Sequence, residues 1–226
     1  MTPDAGPVDL VIFDCDGVLI DSEVIACDVA ASTLAAHGYA IGLEEYLGYV
    51  GRSARDIRAL LETRFGPLPD GLGRTERETL FARFRAELKG MPDVAATVAA
   101  IGLPACVASS SDHERLALTL TVAGLHHLFA PHIFSATEVA RGKPAPDLFL
   151  HAAARMGVPP GHCVVVEDSP AGVAAAVAAG MRPIGFVGGG HCRAGHADRL
   201  RAAGADAVID RMTALPGLIG SNLMGR

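Results

Sequence analysis

The sequence has neither an excess of basic residues nor a long hydrophobic run, and these absences exclude several classes of protein. Its 226 residues contain 19 Lys plus Arg against 25 Asp plus Glu, which gives a formal net charge of −6. Nucleic acid and anionic lipid are bound chiefly by basic patches, so neither is an expected partner. The longest apolar stretch, Ala171 to Met181, is too short to span a bilayer.

Cysteine is scarce and scattered, and no targeting segment is recognisable. The five cysteines are odd in number and form no CxxC pair, which excludes a disulfide framework or a zinc ribbon and fits a reducing compartment. The N-terminus lacks the basic and apolar segments of a secretory signal. We therefore expect a soluble cytoplasmic protein. The sequence does not determine the oligomeric state, for which a monomer is the default expectation.

Three well-known ligand-binding or catalytic motifs are also missing. There is no GxGxxG turn after the first predicted strand, no GxxxxGK[ST] loop and no GxSxG nucleophile elbow. Dinucleotide-binding, P-loop and α/β-hydrolase interpretations therefore have no support. His191, Cys192 and His196 form only a loose cluster in a glycine-rich loop, and we do not interpret them as a zinc site.

What the chain does contain is an alternation of short apolar runs and alanine-rich segments. The runs suit parallel strands buried on both faces, and they occupy residues 8–13, 105–108, 163–166, 183–187 and 207–209. Helices predicted over 94–101, 116–123, 171–179 and 200–203 are each followed by glycine, which accepts the left-handed backbone that ends a helix. This alternation predicts an α/β protein whose ligand site lies at the carboxyl ends of the strands.

Residues 21–90 interrupt the alternation, because they contain helical patterns and no convincing strand. Helices are predicted over Glu23–His37, Ser53–Phe65 and Thr75–Lys89, with a loop dense in glycine and proline at 66–73. We therefore predict a core made of residues 1–20 and 91–226, with residues 21–90 as an inserted helical domain. Most charged residues of the insertion are expected on solvated helix faces.

Two carboxylates follow the first predicted strand directly. Asp14 and Asp16 are two residues apart, so in extended backbone their side chains point the same way, roughly 6.5 Å apart. Such a pair can bind Mg²⁺, which prefers oxygen ligands, or can divide nucleophilic and acid/base roles. The alternative is an Asp-Gly turn that merely leaves the strand.

Hydroxyls and backbone amides come together where the second predicted strand ends. Ser109, Ser110 and Ser111 precede Asp112 at the start of a predicted helix. Free amides and hydroxyls at such a place can cradle an oxyanion or a phosphate. The alternative is an ordinary helix N-cap formed by one of the serines or by Asp112.

Two further clusters lie later in the chain. Lys143 precedes Pro144 at the start of a predicted helix, and it is one of only two lysines among the 19 basic residues, which hints at a need for a compact ammonium. Glu167 and Asp168 leave a strand predicted to be buried, where carboxylates are costly without a cation or donors. Helix capping by Asp168 or Ser169 would explain one residue but not the pair.

The order of these motifs resembles the haloacid dehalogenase-like hydrolase superfamily, and in particular its branch of β-phosphoglucomutases and phosphatases. The resemblance rests on Asp14-x-Asp16-Gly17, then Ser109, then Lys143-Pro144, then Glu167-Asp168, and it covers nearly the whole chain. It implies a Rossmann-like parallel sheet core with a helical cap inserted after the first motif.

The resemblance also implies catalytic and metal-binding roles. Asp14 would be the nucleophile that forms an aspartyl-phosphate, and Asp16 would protonate the leaving alcohol and then deprotonate water. Mg²⁺ would be held by Asp14, the backbone carbonyl of Asp16 and Asp168, with Glu167 as a further ligand or as a partner of one. Ser109 would hydrogen-bond the phosphoryl group and Lys143 would balance its charge. Substrate contacts are expected from Arg52, Arg55, Ser110, Ser111 and His113.

We therefore expect a Mg²⁺-dependent phosphatase acting on a small phosphorylated metabolite, a sugar phosphate or a sugar-acid phosphate. Asp16 argues against dehalogenation, since dehalogenases of the superfamily lack this second aspartate. A sugar phosphomutase is the alternative, although the cap arginine that binds its second phosphate falls on Ala54 here. A phosphoacceptor or metabolite-binding module without turnover is the remaining possibility.

Overall fold

A six-stranded parallel sheet forms the centre of the protein, seen in a computed structural model that describes residues 7–50, 54–69 and 72–220. The strands are β1 (Leu10–Phe13), β2 (Ala105–Ser109), β3 (Ile133–Ser135), β4 (Cys163–Glu167), β5 (Arg182–Phe186) and β6 (Ala207–Ile209). Their order across the sheet is β3-β2-β1-β4-β5-β6. The predicted α/β architecture is confirmed, and β1 lies between β2 and β4.

Eleven helices are formed by the described residues. They are α1 (Glu23–Ala36), α2 (Leu43–Leu47), α3 (Ala54–Phe65), α4 (Leu72–Glu87), α5 (Val94–Ile101), α6 (His113–Val122), α7 (His126–Phe129), α8 (Asp147–Met156), α9 (Pro170–Ala178), α10 (His196–Ala202) and α11 (Leu215–Gly220). None of these described helices is long and apolar enough to cross a membrane.

The sheet is covered on both faces, as its continuous apolar strands require. Along β1, Val11 and Phe13 belong to one hydrophobic cluster, whereas Leu10 and Ile12 belong to another on the opposite face. All four side chains are fully buried. This alternation is the period of two expected of a strand, and it gives the central strand no polar position before Asp14.

Several elements differ from the sequence prediction. The short helices α2, α7 and α11 were not predicted, α4 begins at Leu72 inside the predicted loop 66–73, and α10 begins at His196 rather than 200. The edge strand β3 was missed because only two of its three residues are apolar. Helix α6 begins at His113, earlier than the predicted apolar stretch 116–123, and the Asp112 side chain caps it by accepting the backbone N–H of Arg115 at 2.9 Å, so the alternative of an N-cap by Asp112 is confirmed.

Helices α1 to α4 form the insertion between β1 and α5, and its two ends meet. Asp21 N–H donates to the carbonyl of Lys89 at 3.1 Å, and Met91 N–H donates to the carbonyl of Leu19 at 2.8 Å. Ile20 and Gly90 form an isolated antiparallel bridge at the same place. The chain thus leaves and rejoins the core at adjacent points. The division into two domains stays a prediction.

Candidate active site

The predicted catalytic residues converge at the carboxyl ends of the central strands. Phe13 at the end of β1 is in register with Val107 of β2 and with Val166 of β4. The residues that follow each strand therefore arrive at the same edge of the sheet, with Asp14 after β1 and Asp168 after β4. This is where open α/β sheets bind their ligands.

Lys143 is the cation at the centre of this group. Its Nζ lies 2.5 Å from Oδ1 of Asp14, 2.7 Å from Oε1 of Glu167 and 3.0 Å from the carbonyl of Ala108. Burial lowers the pKa of the Lys143 ammonium, but the charges of Asp14 and Glu167 outweigh burial and raise it above its usual value. Lys143 is therefore protonated at neutral pH and holds two buried carboxylates in place.

Asp14 lies in an environment that is short of positive charge. Burial raises the pKa of its carboxyl group well above the usual value; Lys143 opposes this, and the negative charges of Glu167 and Asp168 add to it. The same site thus holds three acids close to one ammonium. A further cation would stabilise the ionised form of Asp14.

Asp16 has the opposite environment, with three donors on its carboxylate. It accepts hydrogen bonds from Ser22 Oγ at 2.6 Å, from Ser111 Oγ at 2.7 Å and from Arg115 Nη2 at 2.7 Å. Burial raises its pKa, but Arg115 and the two hydroxyls outweigh burial and lower it below the usual value. Asp14 and Asp16 therefore have pKa values that the surroundings push apart, a pattern typical of paired catalytic carboxylates.

Glu167 is fixed through both of its oxygens. Oε1 accepts from Lys143, while Oε2 accepts the backbone N–H of Ser169 at 2.7 Å and its Oγ at 2.9 Å. A Cβ atom at Gly172, in the first turn of α9, would collide with this carboxylate, so glycine provides the space that Glu167 needs. Of the two roles that the sequence left open, these contacts favour a partner of Lys143 over a metal ligand.

Asp168 is buried against two histidines. Its Oδ2 lies 2.9 Å from Nε2 of His191, and its backbone carbonyl accepts from Nε2 of His196 at 2.6 Å. A Cβ at Gly17, whose φ is +78°, would collide with Oδ2 of Asp168, so this glycine allows the two loops to approach. Burial raises the pKa of Asp168, and His191 opposes that change.

The donor set fits a hard divalent cation. Asp14 and Asp168 are buried carboxylates whose pKa values are raised. Mg²⁺ takes oxygen ligands of this kind, often from one or two carboxylates together with substrate phosphate.

The five predicted substrate contacts do not form one group. Ser111 is committed to Asp16, and its N–H donates to Oγ of Ser109 at 3.1 Å. Ser110 is exposed, and Nε2 of the exposed His113 lies 3.1 Å from Oε1 of Glu138. Arg52 and the side chain of Arg55 lie outside the part of the chain that the structure describes.

Three site residues were not predicted. Arg115 and Ser22 contact Asp16, and His191 contacts Asp168. Arg115 stands three residues after the helix cap Asp112, and this spacing in a strand-to-helix segment is the one signal that could have indicated it. The only signal near His191 was the triple glycine before it, which indicates an unusual backbone but does not show which residue His191 contacts.

A cavity of about 230 Å³ lies beside Arg115, where the insertion meets the core. The residues of α4 that line it are Glu76, Arg77, Leu80 and Phe81. Arg77 joins α4 to α6 through ion pairs with Asp112 at 2.9 Å and Glu114 at 2.8 Å. The Arg115 guanidinium lies 5.2 Å from the centre of the Phe84 ring of α4, so the insertion also helps to place this arginine.

Comparisons with known proteins agree with this geometry. The family model of the haloacid dehalogenase-like hydrolases matches residues 8–180. The chain is 31% identical over 190 residues to 6-phosphogluconate phosphatase of Escherichia coli, covering 81% of this chain and 85% of that protein. It is 32% identical over 173 residues to the E. coli fructose-1-phosphate phosphatase YqaB, covering 75% and 92%.

Among solved structures, the chain is similar to a haloacid dehalogenase-like protein of unknown function from Agrobacterium tumefaciens. The TM-score is 0.87 and the sequence identity 43%, with 95% of this chain and 98% of the other covered. The family match spans the four motifs that meet at the strand ends, from Asp14 to Asp168. The chain therefore belongs to the haloacid dehalogenase-like hydrolases, among the members that hydrolyse phosphoric monoesters.

Proposed function

We propose that the protein is a Mg²⁺-dependent phosphatase that hydrolyses a small phosphorylated sugar or sugar acid through an aspartyl-phosphate on Asp14. The observation that carries the proposal is that the two carboxylates have different cationic partners. Asp14 lies 2.5 Å from the Lys143 ammonium, whereas Asp16 accepts a hydrogen bond from Arg115 at 2.7 Å. Relatives whose names specify 6-phosphogluconate and fructose 1-phosphate support the substrate class.

Asp14 is the nucleophile in this mechanism. Its carboxylate attacks phosphorus in line with the departing oxygen, and Lys143 compensates the negative charge that gathers between carboxylate and phosphoryl group. Asp14, Asp168 and the backbone carbonyl of Asp16 would hold Mg²⁺, which when bound neutralises phosphoryl oxygens. Ser109, which is buried where β2 ends, would hydrogen-bond the phosphoryl group.

Asp16 transfers protons at the leaving and attacking oxygens. In the first half-reaction it donates a proton to the departing alcohol, and in the second it removes one from the water that attacks the aspartyl-phosphate. The contacts from Arg115, Ser22 and Ser111 keep Asp16 ionised, which is the state that the second half-reaction uses. The proton that Asp16 takes from water in one turnover is the proton that it donates to the departing alcohol in the next. We expect substrate to displace Arg115 from Asp16, which favours this protonated state during the first half-reaction.

The insertion, residues 21–90, is proposed to act as a cap over this site. The cavity of about 230 Å³ that α4 lines beside Arg115 has room for a small metabolite. Closure of such a unit excludes water from the reacting groups. Arg52, Arg55, Ser110 and His113 stay predicted substrate contacts.

Phosphate release tests the proposal. The wild-type protein would be assayed with Mg²⁺ or with EDTA on 6-phosphogluconate, fructose 1-phosphate and hexitol phosphates, beside Asp14→Asn. The control variant is Asp206→Asn, because Asp206 pairs with Arg182 before β6, at the opposite end of the sheet. We expect metal-dependent turnover that Asp14→Asn lacks and the control retains. Full activity of Asp14→Asn would disprove the mechanism, and isomer exchange without phosphate release would identify a mutase instead.

A further inference from the structure

Two histidines and a cysteine come together beside Asp168, and the proposed phosphatase mechanism uses none of them. They lie in the loop from 187 to 195 and at the start of α10, where His191 and His196 are buried and Cys192 is half-buried. Each side chain can offer one ligand atom such that the three atoms lie within 4.8 Å of one another. The loop is held near the active site because Gly190 N–H donates to Oδ1 of Asp21 at 3.0 Å.

The three donors differ in chemistry from those of the phosphate site. Imidazole and thiolate suit zinc and similar cations, whereas Mg²⁺ prefers oxygen. Burial raises the pKa of the Cys192 thiol, but hydrogen bonds with His191 and His196 outweigh burial and lower the pKa to about 7. The thiolate, which is the form that binds metals, is therefore well populated near neutral pH.

Both imidazoles are oriented in the way that metal-binding histidines usually are. A carbonyl can only accept, so Nε2 of His196 donates to the Asp168 carbonyl at 2.6 Å; Nε2 of His191 faces the Asp168 carboxylate at 2.9 Å. Ligating histidines commonly donate their second N–H to a carbonyl or carboxylate in this manner, which fixes the tautomer. In His191 the same Nε2 also lies 3.5 Å from Sγ of Cys192, and Nδ1 is the remaining nitrogen of each ring.

The state of those two nitrogens is the second observation. Nδ1 of His191 is buried without a hydrogen-bond partner, in a side chain that is 1% exposed. Nδ1 of His196 accepts from Arg199 at 2.7 Å, and Arg199 is exposed, so its guanidinium can turn to solvent at little cost. A simple hydrogen bond between Cys192 and His191 would explain why these two side chains are in contact. It would leave Nδ1 of His191 buried without a partner.

The spacing is close to that of a closed site. Zinc–nitrogen and zinc–sulfur bonds of about 2.0 and 2.3 Å separate tetrahedral ligands by roughly 3.3 to 3.8 Å. The observed span of 4.8 Å must therefore shrink by about 1 Å when an ion binds, through movement of the three side chains.

We propose that His191, Cys192 and His196 form a second cation site, which takes a divalent ion of the zinc class and is coupled to the phosphate site through Asp168. Both histidines contact Asp168, so an ion on them adds positive charge beside one of the residues proposed to hold Mg²⁺. Occupancy should weaken Mg²⁺ binding and inhibit hydrolysis. This coupling rests on the proposed function, whereas the site itself does not.

Co²⁺ titration of the full chain tests the site without any enzymatic readout. A cobalt–thiolate bond gives an intense near-ultraviolet charge-transfer band. We expect this band in the wild-type protein, its loss in Cys192→Ser and its retention in the control Cys27→Ala, with circular dichroism confirming that each variant is folded. Absence of the band in the wild type, or its persistence in Cys192→Ser, would overturn the site.

Mg²⁺ dependence of phosphate release tests the coupling. Zn²⁺ should raise the half-saturating Mg²⁺ concentration roughly tenfold in the wild-type protein. In Cys192→Ser, Zn²⁺ should leave this concentration unchanged. Equal Zn²⁺ inhibition of both proteins would overturn the coupling even if the cobalt band is present. If neither protein releases phosphate, the proposed function fails, and the cobalt titration still decides the site.

Discussion

Arg115 and Asp16 form an ion pair in which Nη2 of the arginine lies 2.7 Å from Oδ1 of the aspartate, and the arginine side chain is only 20% exposed. Arg115 comes from α6 of the core, yet it lies under the Phe84 ring of α4. One side chain therefore links the proposed acid/base residue to the insertion. Its replacement should affect both the chemistry and the contact between the two parts.

Arg115→Ala should move the acidic limb of the kcat–pH profile to higher pH. Arg115 is the strongest of the groups that lower the pKa of Asp16, and the second half-reaction needs Asp16 ionised. Loss of the arginine raises that pKa, so activity disappears at a higher pH than in the wild type. We also expect kcat at neutral pH to fall about a hundredfold through misplacement of Asp16. Arg182→Ala, far from the site, is the control, and an unshifted profile would contradict the assignment.

Glu167→Gln should lower kcat and leave the half-saturating Mg²⁺ concentration unchanged. The carboxylate uses Oε1 for Lys143 and Oε2 for Ser169, and an amide nitrogen cannot accept from either. Lys143 should then lose its position beside Asp14, at a cost of about tenfold in kcat. Steady-state kinetics at several Mg²⁺ concentrations separate the two effects. A large rise in the Mg²⁺ requirement would instead identify Glu167 as a ligand.

Gly172→Ala should destabilise the protein, because the added methyl group collides with the Glu167 carboxylate inside the first turn of α9. We expect the free energy of unfolding to fall by about 2 kcal/mol, as for other overpacked sites. Gly161→Ala is the matched control, since a Cβ at Gly161 meets no atom within 4 Å. Denaturant unfolding of both variants measures the difference. Equal stabilities would show that Glu167 can move freely.

Glu23→Gln should stabilise the protein at alkaline pH and not at acidic pH. Burial, with added repulsion from Asp16 and Asp168, raises the pKa of Glu23 from 4.5 to about 7. An acid whose pKa is raised on folding costs stability above the folded value, and the cost vanishes as pH falls below the unfolded value. The variant should gain up to about 3 kcal/mol at pH 8 and nothing near pH 4.

Chemical unfolding in EDTA across this pH range measures the gain of Glu23→Gln. Glu78→Gln, on the exposed surface of α4, serves as control. A gain that is the same at pH 4 and pH 8 would mean that the side chain ionises freely in the folded protein.

The sequence singled out the residues that directly follow apolar strands. A carboxylate after a buried strand needs a partner, which drew attention to Asp14 and Asp168, and Lys143 is one of only two lysines in the chain. Their roles came from the order of the motifs and the family resemblance, and these roles stay predictions. Contacts that depend on the path of a loop were beyond this reasoning. His191 reaches Asp168 through a loop whose Gly189 and Gly190 pass close to Gly17 and Asp21, and no local pattern encodes that path.

Helix phase explains the other omissions. Arg115 points at Asp16 because Asp112 starts α6 three residues earlier, whereas a helix confined to the apolar stretch from Leu116 would place this arginine in a loop. Ser22 was seen only as the residue before a helix, although its hydroxyl lies 2.6 Å from Asp16. Such contacts depend on the residue at which a helix starts, because this sets the direction in which each side chain points. Helix propensity and hydrophobic periodicity do not specify that direction.

The antiparallel bridge between Ile20 and Gly90 has an evolutionary consequence. Because the chain departs and returns through two adjacent residues, the intervening segment can lengthen, shorten or be exchanged without breaking any hydrogen bond of the parallel sheet. Changes that select a new leaving group can then accumulate in one continuous block of the gene. The groups that handle phosphorus are encoded outside this block and can be inherited unaltered.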